Sequence, residues 1–133
     1  MKRAEPLWIL ERVALAAHDR LLAVYGGAEG VRDAGGLESA LARPRQHFAY
    51  SAPDLIELAA LYTGGIVCNH PFVDGNKRTG FAVGTAFLEL NGFVFQATEE
   101  EATQTVLALA AGELDETGYA EWLRANTKRA RAK

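Results

Sequence analysis

Leu7, Leu10, Ala14, Ala17, Leu21 and Tyr25 recur three or four residues apart, the stripe of an amphipathic helix that ends at Gly26 and Gly27. The pattern breaks in GGAEGVRDAGG, a Gly-rich loop. A short helix is expected over LESALARP and should stop before Pro44, because a residue preceding proline is driven out of the helical region. The next stretch, RPRQHFAYSAP, has no helical period and reads as a surface flap.

Two later segments lack a polar face. Pro53 to about Cys68, PDLIELAALYTGGIVC, is apolar on nearly every side, and NKRTGFAVGTAFLEL, Asn76 to Leu90, carries one charge after Arg78. Helices apolar all round are buried ones. Asn91 and Gly92 supply a stop, and FVFQA reads as a strand or an extended connector. Thr98 and Glu101 have the spacing of a capping box before a helix whose inner face is Ala102, Val106, Leu109 and Ala110; a last helix presents Tyr119, Trp122 and Leu123. The pattern predicts an all-α bundle of about six helices, with the loop from Asn69 to Gly80 between two buried central helices.

Composition narrows this. A chain of 133 residues, 49% of them apolar, can bury one core and is too short for two domains. The formal charge is −3, but four cations, Lys128, Arg129, Arg131 and Lys133, crowd the last six residues. We therefore expect one domain over residues 1–127 and a basic tail, 128–133, frayed into solvent. The acidic body argues against general nucleic-acid binding. With one cysteine, Cys68, no internal disulfide can form. No signal-peptide core or membrane-length apolar run is present, so the expected location is the cytoplasm.

Against this background NHPFVDGNKRTG, Asn69 to Gly80, stands out. A turn uses Gly and Asn or Asp but has no need of an imidazole and two adjacent cations. Because the loop starts a helix, its leading amides and the positive end of the macrodipole attract an anion. Gly75 lets the backbone come close to such a ligand, and Lys77 and Arg78 add full charges. The Asp74 carboxylate would repel a phosphate unless a magnesium ion lay between, and His70 is placed to take a proton from a hydroxyl. Phe72 is expected to point into the core and anchor the loop. Each residue also has a plain reading: His70 caps the preceding helix, Asp74 and Asn76 make a turn and a cap, and the cations form a solvated first turn. Taken together the plain readings fail, since cations at a helix start oppose the macrodipole.

Other motifs fit less well. GNKRT lacks the first glycine and the strand of a Walker loop. Cys68 and His70 are spaced to point apart, with Cys68 read as a buried thiol and His18 as a helix-surface or core-edge residue. The three histidines and Cys68 show no zinc spacing. Arg32 and Asp33 can pair to shape the Gly-rich loop, or Arg32 can reach a nucleotide; the structural role is preferred.

HPFVDGNKR resembles the signature loop of the Fic fold. Lys77, with GGAEGVRDAGGLESALARP upstream and NHPFVDGNKRTGFAVGTAFLELNG, is similar to the death-on-curing (Doc) branch of that family. The resemblance covers roughly Leu10 to Gly92. It implies an all-α fold and an ATP-dependent transferase acting on a protein hydroxyl, with His70 as base, Asp74 on magnesium, and Gly75, Asn76, Lys77 and Arg78 around the phosphates. For the Doc branch it implies a toxin kinase acting on a threonine of elongation factor Tu, arresting translation, and neutralised by a Phd-like antitoxin.

Two departures bear on this. Many Fic proteins have a second Arg three residues after the first; here Phe81 stands there, which weakens the alternative of AMP transfer. Many also contain an inhibitory helix with Ser or Thr, then Glu four residues later, then Gly or Asn. Thr85 with Glu89 and Thr117 with Glu121 are followed by Leu90 and Trp122, so restraint is expected from another chain. A third reading is a non-catalytic all-α regulator that keeps the loop as a binding surface, and the intact His70 counts against it.

Overall fold

Six helices and a two-stranded ribbon make up the computed structural model, which describes residues 4–131. In chain order they are α1 (Glu11–Tyr25), α2 (Ala34–Tyr50), α3 (Leu55–Asn69), α4 (Asn76–Leu90), β1 (Phe93–Phe95), α5 (Glu99–Ala110), α6 (Glu116–Ala125) and β2 (Thr127–Arg129). The all-α expectation holds.

α3 is the axis, packed against α2, α4, α5 and α6, with eleven of its fifteen residues buried. α4 is less enclosed than its composition implied. Thr79, Gly80, Val83, Gly84, Phe87 and Leu88 are buried along one stripe, while Phe81, Ala82, Thr85 and Ala86 are half-buried. The two helices touch almost backbone to backbone. A β-carbon on Gly80 would lie 2.9 Å from Val67, one on Gly84 would collide with the Thr63 hydroxyl, and that hydroxyl donates to the Gly80 carbonyl at 2.8 Å. This contact fixes the two helix ends between which the loop runs.

The structure corrects three local readings. α1 starts at Glu11, not near Leu7. Residues Leu7 to Ile9 instead run across the core, with Trp8 stacked on Phe87, the Leu7 peptide bonded to the Asn91 side chain and the Ile9 N–H donating to the Tyr62 hydroxyl. α2 does not stop before Pro44 but carries it inside the helix as far as Tyr50, so the expected flap is helical. An internal proline costs about 3 kcal/mol. What offsets it is tertiary: Pro44 is buried, Phe48 meets Trp8 edge-on, and Arg43 forks onto Glu116 of α6.

The third correction concerns the basic tail. Thr127, Lys128 and Arg129 form β2, antiparallel to β1, with Phe93 opposite Arg129 and Phe95 opposite Thr127. The Arg129 guanidinium lies over the Phe93 ring, 5.2 Å from its centroid. Lys128 and Arg129 are thus not frayed, because FVF offers them a ladder; Lys133 lies outside the described residues. The capping box read at Thr98 is half made, since Thr98 accepts the Glu101 N–H while the Glu101 carboxylate accepts the Trp122 indole N–H. A complete box stands at the start of α3, where Asp54 and Glu57 cap each other's amides.

Candidate active site

His70 stands where α3 gives way to the loop. It caps the helix in the left-handed conformation, with φ 49° and ψ 54°, and is the only non-glycine residue with positive φ among the described residues. Its N–H donates to the Ile66 carbonyl, and its own carbonyl accepts two bonds from Arg32, from Nε at 3.0 Å and Nη2 at 2.6 Å. The imidazole is exposed and has no hydrogen-bond partner among the described residues. A capping role for the backbone thus leaves the ring available for chemistry.

Phe72 is fully buried, and its ring stacks on His18 of α1 with centroids 3.8 Å apart and planes 8° from parallel. His18 is also buried, against the surface or core-edge expectation. Its Nε2 lies 2.8 Å from the Asp74 carbonyl oxygen, which can only accept, so Nε2 carries the proton. The signal was present, because His18 falls four residues after Ala14 on the inner stripe of α1. Cys68, expected to be buried, is exposed in the last turn of α3.

Asn76 closes the loop on itself. Its side-chain oxygen accepts the Phe72 N–H at 2.9 Å and its amide donates to the Phe72 carbonyl at 3.0 Å. Asp74 is exposed, with one carboxylate oxygen accepting the Gly75 N–H and the other the Ala28 N–H, at 2.9 and 3.2 Å. The Gly-rich loop is therefore part of the site. Its Gly30 carbonyl accepts the Val73 N–H, and the Arg32 and Asp33 amides both donate to the Pro71 carbonyl. Arg32 turns to His70, while Asp33 caps α2 by accepting the Gly36 N–H.

Gly75, at φ 78°, turns the chain into α4. Here the helix starts differ. Asp33, Asp54, Thr98 and Asp115 each cap their helix with a side chain, and α1, which has no side-chain cap, carries Glu11 in its first turn; α4 has neither a side-chain cap nor an acidic residue there. The amides of Asn76, Lys77 and Arg78 have no hydrogen-bond partner among the described residues. Lys77 is exposed there, and the Arg78 guanidinium sits 4.3 Å from the centroid of the Tyr25 ring at the end of α1. Unpartnered amides, a positive helix end and two cations form a concentrated attraction for an anion.

The donor set beside them has one free carboxylate to offer a divalent ion. The Asp74 carboxylate keeps lone pairs beyond the two amide bonds. Among the described residues no three His, Cys, Asp or Glu side chains gather to cage a metal. Magnesium commonly takes one carboxylate, waters and substrate phosphates, so Asp74 suits an ion shared with a bound phosphate chain. Two hollows elsewhere, one bounded by Phe48, Leu58 and Phe93 and the other by His47, Glu57 and Glu116, share no residue with the loop.

A helical scaffold carrying this loop defines a class, and the chain belongs to the Fic/DOC family, whose model matches residues 8–88, from Trp8 through most of α4. Among curated proteins it is similar to "Toxin Doc" of Mycolicibacterium smegmatis, with 44% identity over 71 residues, 51% of this chain and 54% of that protein. The matched region thus spans about half the length of that relative. No helix among the described residues is long and apolar enough to cross a membrane.

Proposed function

We propose that the chain is a Doc-like toxin of a toxin–antitoxin pair that transfers the γ-phosphate of ATP to a protein hydroxyl, with a threonine of elongation factor Tu as the expected target. The observation that carries this reading is the uncapped, doubly cationic start of α4, set in one loop with an exposed imidazole and an exposed carboxylate. The amides of Asn76, Lys77 and Arg78, with the two cationic side chains, hold the phosphates. Asn76 contributes its backbone N–H, because its side chain is engaged in holding the loop. Asp74 would hold a magnesium ion, which would neutralise charge on the phosphate oxygens. His70 takes the proton as the hydroxyl oxygen bonds to the γ-phosphorus, and ADP leaves with the electron pair of the broken bond.

AMP transfer is the alternative. The packing of Phe81 weighs against it: at the position where many Fic proteins present a second arginine, this ring is half-buried and meets Phe95 edge-on at 5.6 Å. A Lys at position 77 also fills space that a Gly would leave for the phosphate chain. Incubation with a cell extract and ATP labelled at the α or γ position distinguishes the two. Intact mass spectrometry of the modified target should show a phosphate-sized gain, and an AMP-sized gain would replace the kinase reading. Lys77→Gly should weaken phosphate transfer. Restraint is expected in trans from an antitoxin segment that folds on binding. If the folded, ATP-binding protein expressed alone leaves growth unaffected, the toxin reading fails.

A further inference from the structure

We infer that Arg32 is a positioning residue for the base: from the loop between α1 and α2 it clamps the His70 carbonyl and so holds His70 in the backbone conformation that aims its imidazole. The inference rests on the role proposed for His70 and adds to it a residue outside the signature loop.

Three observations carry it. First, His70 is held where it would not rest by itself. A left-handed conformation costs a residue with a β-carbon on the order of 1–3 kcal/mol, and the next residue is Pro71, before which extended backbone is preferred. Second, two donors of one guanidinium converge on one oxygen, 3.0 and 2.6 Å away, at the negative end of α3 where a cation is favoured. Third, the chain on either side of His70 is anchored at a short distance from it. α3 before it is core, Phe72 after it is fully buried, and the Pro71 carbonyl between them accepts the Arg32 and Asp33 amides. The strain is therefore confined to His70, and the Arg32 side chain is what meets it. Without that clamp His70 samples other backbone conformations between its anchored neighbours, and the imidazole, carried on the Cα–Cβ bond, is no longer held in one direction.

The test uses Arg32→Met, which keeps length but removes the donors, and Arg32→Lys, which keeps charge and a donor, each alone and combined with His70→Ala. In Arg32→Met we expect kcat for transfer from γ-labelled ATP to fall about a hundred-fold, the scale of a small misplacement of a reacting group. Nucleotide affinity by calorimetry and the unfolding midpoint should stay near the parent's. The NMR coupling constant and Cα shift of His70 should leave left-handed values. Arg32→Lys should recover part of both, and neither variant should cost anything further on the His70→Ala background. The inference is overturned if His70 keeps its left-handed signature in Arg32→Met, if nucleotide affinity falls first, or if the loss is as large without the imidazole. If Arg32→Met does not fold, the same readouts on Arg32→Lys decide. A parent protein with no transfer activity would sink the proposed function, while the NMR arm would still determine whether Arg32 holds His70.

Discussion

The starts of α3 and α4 are built in opposite ways. At the first, Asp54 caps the Glu57 amide, Glu57 caps the Asp54 amide, and Arg124 of α6 lies 2.5 Å from the remaining Asp54 oxygen. The donors there are closed by a carboxylate that the macrodipole favours. At the second, Gly75 offers no side chain, the Asp74 carboxylate is shared between the Gly75 and Ala28 amides and caps none of the first-turn donors, and Lys77 and Arg78 stand where the macrodipole disfavours them. One end is closed for stability, and the other leaves its donors open, as the proposed phosphate site requires. Substitutions at the two ends should therefore separate folding from activity.

The largest gap is expected in turnover. His70→Ala should lose about two to four orders of magnitude in transfer rate with nucleotide binding intact, whereas Asp54→Ala should leave the rate per folded molecule unchanged. Near-normal turnover in His70→Ala would remove the base from the mechanism. Next, Arg78→Ala should cost on the order of a hundred- to a thousand-fold in turnover and weaken ATP in calorimetry. Unchanged ATP affinity would place the phosphates elsewhere.

Stability should respond in the opposite sense. Asp54→Ala should lower unfolding free energy by about 1 kcal/mol, the usual cost of losing an N-cap, measured by denaturant titration. Lys77→Glu should raise it by about 0.3–1 kcal/mol, by placing an anion at a helix start, while abolishing transfer. A loss of stability in Lys77→Glu would contradict the view that the cation is there for a ligand.

The smallest effect is in pH. Burial raises the Asp54 carboxyl, but the Glu57 amide and the Arg124 guanidinium outweigh it and hold the group below its ordinary value of 3.8. A depressed carboxylate contributes stability that is fully present above its unfolded value and is lost as pH falls through its folded one. The gap in unfolding midpoint between the parent and Asp54→Asn should therefore be constant from neutral pH down to about 5 and close below about 4. A gap that persists into strong acid would show that the carboxylate's charge contributes nothing there.

Much of this was legible in the chain. The 15-residue span of α4, the central place of α3 and the chemistry of the loop are local properties, carried by apolar period, by Gly75 and by residue types with no use in a plain turn. Asp54 and Glu57 were equally readable, at the same spacing as Thr98 and Glu101. What local pattern misjudged were segments whose neighbours overrule them. Pro44 stays in α2 because Phe48 and Arg43 have partners beyond it, and Thr127 to Arg129 form a strand because Phe93 to Phe95 lie alongside.

The same division runs through the site. Sequence alone determined which groups sit in the loop, because a proton acceptor, a carboxylate and two cations must be encoded as residues close together. Only the tertiary structure decided how they are held: His18 under Phe72, Ala28 on Asp74, Tyr25 beneath Arg78 and Arg32 on the His70 carbonyl. Each of those partners comes from α1 or the Gly-rich loop, 38 to 54 residues away along the chain. No local period encodes such a distance, and it closes only when α1 packs on α4.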